Sequence, residues 1–94
     1  MATVHIPSLL RDLTGGAEQV QVDISEGERI TVREVLDGLE QRFPGMLARL
    51  LDAQGELAPH LAVVIDGEHA GMGLMAKLGA ENDLFFLAPI VGGV

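Results

Sequence analysis

One stretch, Thr31 to Phe43, carries a helical stripe, and the segments on either side of it alternate instead. Thr31 sits where an N-cap would, with Glu34 three residues later, the pattern of a capping box. Val32, Val35, Leu36, Leu39 and Phe43 then fall on one face at helical spacing. Arg33 and Asp37 form an i, i+4 pair on the outer side, and Pro44-Gly45 stops the helix. A single amphipathic helix of this length must bury its stripe against something. The rest of the chain offers strands.

Before the helix, Thr3 to Ile6 alternates with Val4 and Ile6 apolar, and Pro7 ends the run. Val20, Val22 and Ile24 alternate with Gln19, Gln21 and Asp23. The turn Thr14-Gly15-Gly16 between the two runs makes them a hairpin. Ser25 to Glu28 reads as a polar loop. After the helix, Met46 to Leu51 offers a further turn or two, and Leu61-Ala62-Val63-Val64-Ile65 is a compact apolar run, expected as a central strand. Asp66-Gly67 predicts a tight turn with Glu68-His69-Ala70 returning from it. Gly71 to Gly79 is ambiguous, with Leu74, Met75 and Leu78 able to make one helical turn under the sheet. Leu84-Phe85-Phe86-Leu87 is the last strand and Pro89 ends it. The order predicts an α+β fold, one main helix crossing a mixed sheet of four to five strands. Residues 1–88 form the domain, and 89–94 form a protruding flexible tail. There is no internal repeat or linker.

Composition removes several function classes. The formal net charge of −8 repels phosphate backbones and anionic membrane surfaces, so nucleic acid and membrane are excluded as partners. It suits a partner with a basic docking surface. The absence of cysteine excludes disulfides, zinc–thiolate sites, a catalytic thiol and sulfur carried as a side-chain persulfide. No basic-then-apolar leader opens the chain, and no apolar run approaches the ~20 residues of a membrane span. The expected location is cytoplasmic.

Side-chain chemistry is sparse. His5, His60 and His69 lack metal-ligand spacing and read as surface histidines, so no metal site is expected. Ser8 and Ser25 lie in no nucleophile elbow. Gly71-Met72-Gly73 is too short for a phosphate loop, and Met72, Leu74 and Met75 are expected to close the base of the core. Lys77, the only lysine, matters solely if copies are joined through it. No catalytic residue is assigned. The sheet face away from the helix is the expected docking surface. Phe85 and Phe86, adjacent and so on opposite faces, divide between core and partner, with Arg11 and Arg42 as polar contacts.

What remains is the end of the chain, Ala88-Pro89-Ile90-Val91-Gly92-Gly93-Val94. Two glycines directly after a terminal strand and a proline make a slender backbone that a narrow channel can close around. Chemistry on a terminus inside another protein needs that slenderness.

The chain resembles the MoaD/ThiS family of β-grasp (ubiquitin-like) sulfur carriers over nearly its whole length. The matching segments are Ile6-Pro7-Ser8-Leu9-Leu10-Arg11-Asp12-Leu13-Thr14-Gly15-Gly16, the helix from Thr31 to Phe43, and Leu84 to Gly93. Within the family it is most similar to the actinobacterial cysteine-synthesis carriers. The resemblance implies a β-grasp fold and a non-enzymatic role as a co-substrate. A ubiquitin-activating-type adenylyltransferase, using ATP, would attach AMP to the carboxylate of Gly93, and a sulfur donor would replace AMP to leave a thiocarboxylate. A second, biosynthetic enzyme would accept the sulfur. Ile90, Val91 and Gly92 would be the recognised tail. The carrier itself would bind no cofactor. The family ends on its glycine pair, whereas here Val94 follows. A β-branched residue placed at most about 3.6 Å further out should block the activating site. Removal of Val94, by a metalloprotease of the deubiquitinase type, is therefore expected. Two other roles fit the same tail: the small subunit of a molybdopterin synthase, and a ubiquitin-like modifier conjugated through Gly93.

Overall fold

The computed structural model describes residues 1–87. Its strands are β1 (Ala2–His5), β2 (Gln19–Val22), β3 (Arg29–Thr31), β4 (Ala62–Ile65), β5 (Glu68–His69), β6 (Lys77–Gly79) and β7 (Asp83–Leu87). Helix α1 (Val32–Arg42) follows β3 directly, and a short helix α2 (Met46–Leu50) comes after it. The main sheet has five strands in the order β2-β1-β7-β4-β5, and β3 pairs with β6 in a separate two-stranded sheet. β1 and β7 run parallel, while the other neighbours are antiparallel. The sheet is therefore mixed, with one main helix across it, the β-grasp arrangement.

Local chemistry explains the elements. The Thr31 hydroxyl accepts from the Glu34 backbone N–H at 3.1 Å, and the Glu34 carboxylate accepts from the Thr31 N–H at 3.1 Å, closing the capping box. Val32, Val35, Leu36 and Leu39 are buried on the helix's inner face. Arg33 and Asp37 pair at 3.1 Å on its outer side. Asp66 and Gly67 both adopt positive φ, 52° and 84°, as a two-residue hairpin turn between β4 and β5 requires. The core lies between α1 and the sheet, where Val4, Leu36, Leu39, Val63, Leu78 and Leu84 are all at most 2% exposed. Phe86 joins them at 4%.

Three expectations change. The middle of the main sheet is β7, and the run 61–65 supplies the next strand outward. β1 and β7 can lie side by side only because the chain crosses over between them, a long-range pairing that local apolarity does not reveal. The second strand pair joins β3, which lies between the expected polar loop and the helix and carries no strand signal of its own, with β6, which lies in the ambiguous segment. These strands are three residues each, and their pairing is fixed by contacts such as Ile30 opposite Leu78 rather than by alternation. Finally, Met72 and Met75 do not close the core. They stand 72% and 61% exposed at the start and the end of a one-turn 3₁₀ segment, Met72 capping Gly73–Met75, while Leu74 packs inward.

Candidate docking face

The sheet face opposite α1 is built by alternation. Ala2 and Val4 point into the core, so Thr3 and His5 take the open face. In β7, Leu84 and Phe86 point inward, and Asp83, Phe85 and Leu87 outward. The strand registers align a row across all five strands: Gln19, His5, Phe85, Val64 and His69. Leu87 stands opposite Ala62, one step nearer the end of β7. Leu87 is 49% exposed and is among the few large apolar side chains so open to solvent. The apolar part of this face therefore sits where β7 hands over to residue 88.

His5 is not a free surface histidine. Its ring stacks on Phe85 with centroids 3.9 Å apart and planes 5° from parallel. Its Nε2 lies 3.1 Å from Oδ1 of Asp83. The imidazole is thus clamped between a carboxylate and an aromatic ring, and Phe85 is held flat against β1. Sequence reasoning missed His5, Asp83 and Leu87. The signal available was alternation in β1 and β7, but the neighbour relation depends on their parallel register.

Phe86 is corrected as a docking residue. Its burial among core side chains leaves Phe85 as the one phenylalanine on the open face. Arg11 is half-buried, and its Nε donates to the carbonyl of Ile6 at 3.1 Å, so part of its guanidinium is spent holding the loop after β1. It still lines a shallow cavity with His5, Pro7, Gln19, Phe85 and Leu87 at the end of β7. Arg42 lies elsewhere. Its Nη1 donates to the carbonyl of Gln21 at 2.9 Å and covers the open edge of β2. Ile90, Val91, Gly92 and Gly93, expected to form the recognised tail, and Val94, expected to be removed, lie outside the described residues.

Two contacts made by charged side chains hold α2 in place. Arg49 makes a two-pronged pair with Asp12, at 2.6 and 2.9 Å, and also donates to the Leu9 carbonyl at 2.9 Å. The guanidinium holds the Asp12 carboxyl below its usual range, and Asp12 in turn raises Arg49. The Glu40 carboxylate accepts from the backbone N–H groups of Leu47 at 2.9 Å and Gly45 at 3.1 Å, which caps α2. Those donors, Leu47 foremost, lower the pKa of Glu40. Among the described residues no three His, Asp or Glu side chains cluster as a metal site. No described helix is long and apolar enough to cross a membrane.

The described part of this face brings together His5, Asp83, Phe85 and Leu87 at the end of β7. No protein-family model matches the chain. Small archaeal modifier protein 1 of Haloferax volcanii is 36% identical over 78 residues, covering 83% of this chain and 85% of that protein. Among solved structures, the Amycolatopsis orientalis BexX/CysO complex matches with a TM-score of 0.80 and 32% identity, covering 99% of this chain and 100% of the matched one. Mycobacterium tuberculosis CysO matches with a TM-score of 0.81 and 26% identity, over 96% and 100%. With that identity spread along most of its length, this chain belongs to the MoaD/ThiS family of β-grasp proteins, the sulfur carriers and ubiquitin-like modifiers.

Proposed function

We propose that the chain is a sulfur carrier whose C-terminal Gly93 is adenylated by a ubiquitin-activating-type enzyme after Val94 is removed. The Gly93 carboxylate attacks the α-phosphorus of ATP and pyrophosphate leaves. A sulfur donor then displaces AMP, and the product is a thiocarboxylate. Adenylation turns a poor electrophile into a good one, and sulfur makes the terminus a better nucleophile than oxygen. An accepting enzyme takes the sulfur into cysteine or a related sulfur metabolite. The domain contributes recognition: Phe85 and Leu87 present an apolar surface next to the start of the tail, and Arg11 adds a polar contact. The observation that carries the reading is the whole-length match to CysO, seen with the partner BexX in one of the two structures. ATP is consumed by the activating enzyme, and no cofactor belongs to the carrier. A metalloprotease of the deubiquitinase type supplies the trimming. Function in the cytoplasm follows, because the activating chemistry needs ATP.

A second reading is favoured by the Haloferax relative, named a modifier protein. In it the activated Gly93 is joined to lysines of target proteins instead. Intact-protein mass spectrometry of the chain from its native cells separates the two. A species that lacks Val94 and gains the oxygen-to-sulfur mass difference at Gly93 is expected. High-mass isopeptide conjugates without any thiocarboxylate would replace the carrier reading with the modifier one, and a uniform species retaining Val94 would overturn both.

A further inference from the structure

The exposed methionines invite a question that docking does not answer. The chain has four methionines and no cysteine, so thioethers are its softest side-chain donors. Met46 is 1% exposed and belongs to the core. Met1 is exposed at the start of the chain, without another methionine near it in sequence. Met72 and Met75 differ from both. The Met75 N–H donates to the Met72 carbonyl at 3.0 Å, closing a four-residue turn. Residues at the two ends of such a turn have Cα atoms within about 7 Å of each other. A second bond, from the Gly73 N–H to the Ala70 carbonyl at 3.0 Å, fixes the approach to it. Gly73, at φ +55°, supplies the left-handed residue that the turn needs. Two long, unbranched thioether side chains therefore start from the two ends of one tight turn, both open to solvent.

We propose that Met72 and Met75 form a binding site for a soft monovalent cation, copper(I) or its redox-inert analogue silver(I). Soft d¹⁰ ions favour thioether sulfur and tolerate two-ligand coordination, whereas calcium, magnesium and zinc prefer oxygen, nitrogen or thiolate donors. A thioether carries no proton, so binding displaces none. Two donors on one turn make the second bond intramolecular, which is where the affinity comes from. The site is independent of the terminal chemistry proposed above, and its failure would leave that reading untouched.

The test is a silver(I) titration of the full chain, with its ordinary carboxylate terminus, in chloride-free buffer. It is followed by NMR of ¹³C-labelled methionine methyl groups. The Met72 and Met75 signals should move together and saturate at one equivalent, with Met46 still. Met75→Leu keeps the volume and removes the sulfur at an exposed position, so the fold should persist, as an amide spectrum would verify. It should weaken binding on the order of a hundredfold. Copper(I) competition against a chromogenic chelator should give the same ranking. Affinity should hold between about pH 5 and pH 8, where a histidine-held ion would be released on acidification. Equal response of Met1, unchanged affinity in Met75→Leu, or loss of the ion at the acid end would each overturn the proposal.

Discussion

At the scale of residues, adjacent phenylalanines do opposite jobs because a strand turns each side chain to the other face. Phe86 fills the core, so Phe86→Ala should destabilise the domain by about 3–5 kcal/mol in a denaturant titration. Phe85 is part-buried and stacks on His5, so its truncation should cost less stability than that of Phe86, about 1–2 kcal/mol. Its expected loss is in docking: affinity for the proposed activating enzyme should fall by about 2 kcal/mol or more, measured by calorimetry. Equal effects of the two variants on stability would contradict the assigned register. That adjacent positions divide between core and surface was legible in Leu84-Phe85-Phe86-Leu87. Which one faces out was not, because alternation has two phases and only the burial of Leu84 and Phe86 selects one. His5 shows the same limit. Its partner Phe85 is 80 positions away in sequence and becomes a neighbour through the parallel pairing of β1 with β7.

At the scale of elements, α1 was the most readable segment, since its cap, its stripe and its stop are all local signals. Thr31→Ala removes the side-chain half of the cap and should cost about 1 kcal/mol of stability. α2 depends instead on Glu40, a residue of the previous helix, whose carboxylate substitutes for the cap that Gly45 lacks. Asp12 plays the corresponding part for Arg49. Both carboxyls have their pKa lowered by folding. Their stabilisation is therefore complete above the ordinary values, 3.8 for Asp12 and 4.5 for Glu40, and fades as the pH falls through the lower folded values. Stability measured by denaturation should decline below that range, and Glu40→Gln with Asp12→Asn should flatten the decline. An unchanged acid limb in the double variant would show that these contacts do not carry it. The short pair β3 and β6 left no such trace in the sequence. Three-residue strands are too brief for a period to register, and a loop and a strand of that length look alike.

At the scale of the whole molecule, charge and shape set how partners arrive. A net charge of −8 favours a basic partner surface, and the association rate should drop on the order of tenfold as salt screens the attraction. Stopped-flow mixing with the proposed activating enzyme at low and high ionic strength measures this, and a rate indifferent to salt would count against electrostatic steering. Periodicity along the chain determined that there is one amphipathic helix, strands on both sides of it and an α+β fold. Composition determined that no thiol can take part. These are local or additive properties, readable because side-chain spacing reports the face each residue must bury. The tertiary structure alone decided that β7 lies at the centre of the sheet and that His5, Asp83 and Phe85 meet on its open face. It also decided that Met72 and Met75 stand out in solvent instead of in the core. Each of those outcomes depends on pairing between distant segments or on how much core volume is already filled, and neither is encoded in any short window of sequence.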